Sequence, residues 1–244
     1  MNAVVTAGGR IEGAFAAAAG TEIKALAPVR GISMLERVLH ALRACGARRI
    51  ALVADEDVGR NYASLVERVI EASPSGSENM IRALRAWTED AQPLLYATSD
   101  LPYVNPDALR DFLARAPQQS IAMALVEAES YAARFPGAPP FGIRLAGERV
   151  VNGGVFVLPA GSAARVERVA TGFFEARKRP WQMAGLVGPT TLLRFVTGRL
   201  SVGHLEAKAA RVFGMPAAAV RGCAPELAFD VDTAADYRYA CDHR

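Results

Sequence analysis

With 244 residues, 51% of them apolar, the chain has ample material for a packed core. A net charge of +3 with dispersed Lys and Arg gives no case for nucleic-acid binding, although it suits a site for polyphosphates. No apolar run approaches the roughly 20 residues needed to cross a bilayer, so no membrane partner is expected. Cys45, Cys223 and Cys241 lie far apart without a C-x-x-C pair, and His40, His204 and His243 are equally scattered, which argues against disulfide, thiolate-metal and histidine-centred chemistry. The first residues lack the basic start and long apolar stretch of a secretory signal, so the expected location is cytoplasmic.

In chain order, short β-branched runs alternate with helical patterns, as in successive βα units on a largely parallel sheet. Strands are expected near residues 4–6, 50–54, 66–70, 94–98 and 121–126. Met34, Leu35, Val38, Leu39, Leu42 and Cys45 recur at helical spacing, and Gly46 supplies a stop. A second helix is expected after Ser77 as its cap, running to about Trp87, and a third at Asn105-Pro106. Residues 130–140 are proline-rich and read as an excursion from the sheet, and residues 141–145 and 150–158 read as a strand pair. From about 163 to 213 the pattern is helical, broken at Arg179-Pro180, Gly188-Pro189 and 198–201. A short strand near 227–230 and a helix from Thr233 complete the expected set.

The sharpest chemical signal is the first strand leading at once into Ala7-Gly8-Gly9-Arg10. A glycine pair at a strand's C-terminal end lets backbone N–H groups approach a polyphosphate, and an arginine adds charge. The dinucleotide fingerprint G-x-G-x-x-G is not matched by Gly8-Gly9-Arg10-Ile11-Glu12-Gly13.

Beyond this loop runs Lys24-Ala25-Leu26-Ala27-Pro28-Val29-Arg30-Gly31-Ile32-Ser33-Met34-Leu35. Here the chain resembles the MobA-like NTP transferases, which open with an AGG loop followed by a lysine, L-x-P-x-x-G-x-x-M-L and a helix. Ser75-Gly76-Ser77 is similar to that family's nucleotide-base segment, Asp100-Leu101-Pro102 to its D-x-P metal motif, and Asp230-Val231-Asp232-Thr233-Ala234-Ala235-Asp236 to its D-x-D-T-x-x-D signature. Ile11-Glu12-Gly13-Ala14-Phe15 departs from the family's glycine and arginine continuation, and Ile23 stands where a proline often precedes the lysine.

The resemblance implies a three-layer Rossmann-like α/β fold of the nucleotide-diphospho-sugar transferase (GT-A) type, with a mixed, mainly parallel sheet. It implies one domain over residues 1–244, carrying a helical elaboration at about 160–215. The implied activity is Mg²⁺-dependent transfer of a nucleoside monophosphate from an NTP, with GTP or CTP favoured, to a phosphorylated small-molecule acceptor. Ala7, Gly8, Gly9, Arg10, Lys24 and Ser77 would bind the nucleotide, Lys24 and Asp100 would act in catalysis, and Asp100 with Asp230 or Asp232 would hold the metal. The chemistry agrees: a magnesium ion takes one or two carboxylates plus phosphate oxygens and water, and parallel sheets gather strand ends along one edge.

Each motif also has a plain structural reading. Asp100-Leu101-Pro102 fits a turn, one of Asp230 and Asp232 fits a helix cap, and Gly153-Gly154 after Asn152 fits a strand bulge as well as an acceptor contact. Arg177-Lys178-Arg179 fits a solvated helix end, and Trp87 and Trp181 fit packing roles. Two other functions share the pattern: a glycosyltransferase of the same fold, since Asp230-Val231-Asp232 is a D-x-D sequence, and a non-catalytic nucleotide-binding regulator.

Overall fold

A computed structural model describes residues 1–90, 92–139, 142–176 and 188–243, and their side chains except at 173–176. Arg177, Lys178, Arg179 and Trp181 lie outside the described residues, as does Phe141 at the start of the expected strand pair.

The chain begins with β1 (Asn2–Thr6) and α1 (Gly13–Ala19), then a hairpin of β2 (Pro28–Val29) and β3 (Ile32–Ser33). Next come α2 (Met34–Ala44), β4 (Arg49–Ala54), α3 (Glu56–Tyr62), β5 (Arg68–Glu71), α4 (Gly76–Arg85) and β6 (Leu94–Thr98). They are followed by α5 (Pro106–Arg115), β7 (Ile121–Glu127), α6 (Ala128–Arg134), β8 (Ile143–Leu145), β9 (Glu148–Leu158) and α7 (Ala163–Ala176). The last elements are α8 (Pro189–Val196), α9 (Val202–Phe213), β10 (Ala217–Val220) and α10 (Ala234–Asp242).

The eight-stranded sheet has the order β10-β7-β9-β6-β1-β4-β5, with β8 paired to β9 off this path. β1 runs parallel to both β4 and β6, whereas β9 is antiparallel to β6, β7 and β8. The sheet is therefore mixed and mainly parallel, as expected. After β1 the chain builds outward to β4 and β5, then crosses back to place β6 on the other flank. That reversal opens a crevice at the carboxyl ends of β1 and β6, where sheets of this type hold ligands.

Alternation along the strands divides the core into two layers. Ala3, Val5, Leu52 and Leu95 pack on one face with Met34, Leu35, Val38 and Phe112, and Val4, Ala51, Val53 and Tyr96 pack on the other with Leu84, Trp87 and Val166. β1 is thus buried on both faces, each large side chain in these layers contributing roughly 1.5–3 kcal/mol, and this rigid strand carries the first site loop. α2 forms because its apolar stripe meets the first layer and the Ser33 hydroxyl accepts from Glu36 N at 3.1 Å. Asn105 caps α5 as expected, accepting from Ala108 N at 2.9 Å ahead of Pro106.

Several elements differ from the sequence expectation. α4 starts one residue after Ser75, whose hydroxyl accepts from Glu78 N, so Ser75 is the cap and Ser77 lies buried inside the first turn. The expected strand at 227–230 is a short 3-10 turn over Pro225–Leu227 followed by unpaired chain. The helix at the chain's end is capped by Thr233, which accepts from Asp236 N while Asp236 answers to Thr233 N, so neither Asp230 nor Asp232 is the cap. Alanine-rich β10 and α1 were not expected, and neither were α3 and α6, the last lying where an excursion had been read. The departure after Gly9 has a structural purpose: Gly13 opens α1, and Phe15 packs its ring 5.3 Å from that of Tyr237. Among the described residues no helix is long and apolar enough to cross a membrane.

Candidate functional site

The loop after β1 is held on both sides. Ala7 N donates to Val53 O at 2.8 Å, extending the β1–β4 ladder by one residue, and the chain then turns out of the sheet at Gly8. A Cβ at Gly8 would stand 2.6 Å from Asn79 Nδ2 and 2.8 Å from the Ala72 Cβ, so only glycine fits there. On the other side Lys24 N donates to Gly9 O at 3.0 Å, Ile11 N donates to Glu22 O at 2.9 Å, and Arg10 bridges Ile23. This antiparallel pairing brings the Lys24 side chain back over the end of the sheet.

There Lys24 Nζ meets Asp100 Oδ2 at 2.6 Å and Asp232 Oδ1 at 2.5 Å. Asp100 stands two residues past β6 and Asp232 just ahead of α10, and Val231 N donates to Asp100 O at 3.1 Å, which fixes the two segments together. Residues 76 and 208 positions from Lys24 in sequence thus converge on one ammonium. The two side chains differ in exposure, 16% for Asp100 against 56% for Asp232. Burial by itself would lower the Lys24 pKa, but the attraction and hydrogen bonds of Asp100 and Asp232 outweigh it and the net displacement is upward. Lys24 is therefore a firmly charged group. Burial pushes the Asp230 carboxyl up to about 7, with the charges of Asp232 and Asp100 adding to the effect.

These groups border a polar cleft of about 570 Å³ lined by the loop after β1, by Lys24, by the β6 end from Thr98 to Asp100, and by Ser73, Pro74, Gly76 and Asn79. Arg10 closes one side through an ion pair with Asp55 at 2.6 Å, so a bound phosphate would have to compete with that carboxylate for the guanidinium. Of the sequence candidates, Gly8, Gly9, Arg10, Lys24 and Asp100 line the cleft, and Asp232 joins it through Lys24. Ala7 is buried beneath it, and Ser77 is absent from its lining. Sequence reasoning missed Asp55, Ser73 and Asn79. Asp55 directly follows a predicted parallel strand and was findable on that ground, whereas Ser73 and Asn79 carry no local signal.

Gly153 and Gly154 lie where the β7–β9 register is irregular, opposite the step between Met123 and Leu125. A Cβ at Gly154 would approach Thr98 Oγ1 to 2.7 Å, so this glycine permits close packing behind the β6 end. A separate cavity of about 350 Å³ between the sheet and α7 and α9 is almost wholly apolar and offers no constellation for chemistry.

Among the described residues no group of three His, Cys, Asp or Glu stands in metal-holding geometry. Two carboxylates nevertheless suit a cation that also takes phosphate oxygens and water. Among the described residues Asp100 Oδ1 is buried without a hydrogen-bond partner, an oxygen left available to a cation, and both aspartates reach one nitrogen, far inside the roughly 8 Å that a single ion and a bridging water would span. The chain's carboxylates fit a divalent ion of this kind.

A mixed sheet with a glycine loop, a lysine and strand-end carboxylates at its switch point defines an α/β nucleotidyltransferase of the nucleotide-diphospho-sugar transferase fold. The family model for the MobA-like NTP transferase domain matches residues 3–236, and the chain belongs to that family. A hypothetical transferase from Thermus thermophilus is similar at 31% identity and a TM-score of 0.83, over 97% of this chain and 100% of that one. The Mycobacterium tuberculosis protein Rv0371C in complex with manganese shares the fold at 20% identity and a TM-score of 0.54, over 99% of this chain and 97% of that one. So does a CMP:2-keto-3-deoxy-manno-octonic acid synthetase complexed with CTP, at 14% identity and a TM-score of 0.55, over 99% and 96%.

Proposed function

We propose that this chain, as one nucleotidyltransferase domain with a helical elaboration at about 160–215, moves a nucleoside monophosphate from an NTP to a phosphorylated small-molecule acceptor, with Mg²⁺ and release of pyrophosphate. The observation that carries this reading is the Lys24 ammonium held between Asp100 and Asp232 at the edge of a polar cleft floored by Gly8 and Gly9. Transfer at phosphorus is largely a matter of position and charge. The N–H groups of the glycine loop and Lys24 supply positive character toward the polyphosphate. Asp100 and Asp232, with Asp230 behind them, would hold the cation, which neutralises phosphate oxygens when bound. A phosphate monoester acceptor arrives ionised, so no general base is required.

The CTP and manganese complexes of proteins sharing this fold support an NTP donor and a divalent ion, with GTP or CTP the favoured donors. A cytoplasmic site of action suits an enzyme drawing on free NTPs. The test is pyrophosphate release from each of the four NTPs with Mg²⁺ and a panel of phosphorylated acceptors. One NTP supporting release is the expected result. Turnover of nucleotide sugars and of no NTP would favour the glycosyltransferase reading instead.

A further inference from the structure

Asn79 is only 4% exposed, yet it is polar and stands in α4 between the two loops that wall the cleft. Its Oδ1 accepts from Ser73 N at 2.6 Å and its Nδ2 donates to Ser73 O at 2.9 Å. One amide thereby grips both backbone polar groups of a single residue in the loop between β5 and α4. That loop supplies Ser73, Pro74 and Gly76 to one wall; Ala72 N ties its start to Ala54 O at 2.9 Å, Ser75 caps α4, and Ser75 N donates to Ser73 Oγ at 3.2 Å, whereas the Asn79 amide is what holds the backbone of Ser73 itself. The opposite wall is the loop after β1, where the missing Gly8 side chain leaves just enough room for the same Nδ2.

We propose that Asn79 is a positioning residue that sets the separation between the phosphate loop and the 73–76 loop, and through it the fit of the nucleoside part of the donor. This rests on the reading of the cleft as an NTP site. The requirement is specific to asparagine: the grip needs a donor and an acceptor in one plane on a short stem, which a carboxylate, a hydroxyl or a longer amide does not supply. Because the amide is committed to Ser73, its influence on the nucleotide passes through that loop.

The test is Asn79→Ala in the full chain, measuring with Mg²⁺ the affinity for each of the four NTPs and for inorganic tripolyphosphate. The latter engages the phosphate side alone. The NTP that wild type prefers should bind about tenfold more weakly, through the loop order lost with the two neutral hydrogen bonds to Ser73, while tripolyphosphate affinity changes by less than about twofold. Preference among the four NTPs should narrow as well. If the alanine variant does not fold, Asn79→Asp keeps the size and the acceptor for Ser73 N but removes the donor, and the same split between NTP and tripolyphosphate is expected. Equal weakening of NTP and tripolyphosphate, or no weakening of either, would overturn the proposal. A wild-type protein that binds none of the NTPs would instead overturn the reading on which it rests.

Discussion

Asp230→Asn should make the ligand-free protein more stable at neutral and alkaline pH and leave it almost unchanged near pH 4. The Asp230 carboxyl has an ordinary value of 3.8 and is pushed up to about 7 in the fold by burial, with Asp232 and Asp100 adding repulsion. Well below pH 3.8 the group is protonated in both folded and unfolded chains, so it contributes no difference there, and near pH 4 the difference is still small. As pH rises past 3.8 the unfolded chain ionises while the fold does not, and stability falls until the folded group ionises near 7, then levels. The full displacement corresponds to roughly 4 kcal/mol, and partial solvent access reduces this to roughly 2–3 kcal/mol. Asparagine keeps the shape without the charge and removes the loss. At about 2–4 °C per kcal/mol for a chain of this size, the thermal midpoint at pH 8 should rise by about 4–12 °C over wild type. The assay is the apo midpoint of both proteins from pH 4.5 to 8.5. A difference that is the same at both ends of that range would refute the reasoning, because it would come from packing rather than from charge.

Lys24→Ala should remain folded but bind NTP at least about tenfold more weakly, checked by calorimetric titration, since among the described residues it removes the one ammonium lining the cleft. Asp100→Asn should abolish most Mg²⁺-dependent turnover while shifting the apo thermal midpoint only slightly, because size and most hydrogen bonding are kept. Gly8→Ala should cost donor affinity without acceptor-side effects, seen as a raised KM for NTP alone, since the added Cβ would press on Asn79 and Ala72. Neutralising Arg177, Lys178 and Arg179 together should affect turnover less than Lys24→Ala does, measured side by side.

The fold was legible wherever the apolar period was strong. β1, α2, β6 and α5 follow from short β-branched runs, a six-residue apolar stripe and an Asn-Pro start, all local signals. What escaped were elements whose identity is set by neighbours: β10 is Ala217-Ala218-Ala219-Val220, a helix former by propensity, held as a strand by its parallel pairing with β7. The 227–230 stretch looked like a strand because it is apolar, but Leu227 and Phe229 are buried as packing residues without a ladder partner. The same division holds for the site. Gly8, Gly9, Lys24 and Asp100 sit at strand ends or in motifs and could be named from the sequence. The choice between the late aspartates could not be read there: the D-x-D pattern offers Asp230 and Asp232 alike, and it is the fold that brings Asp232 onto Lys24. Asn79 was invisible, since its role depends on a loop six residues away and on a glycine in another element.

The central claim is that the cleft bordered by residues 8–10, Lys24 and Asp100 receives an NTP together with a divalent ion. Titrating each of the four NTPs into wild type and into Asp100→Asn, with and without Mg²⁺, tests it most directly. The expected result is saturable binding of at least one NTP that strengthens with Mg²⁺ in wild type and loses that Mg²⁺ dependence in the variant. Absence of binding by all four, or an Mg²⁺ effect that survives Asp100→Asn unchanged, would contradict it.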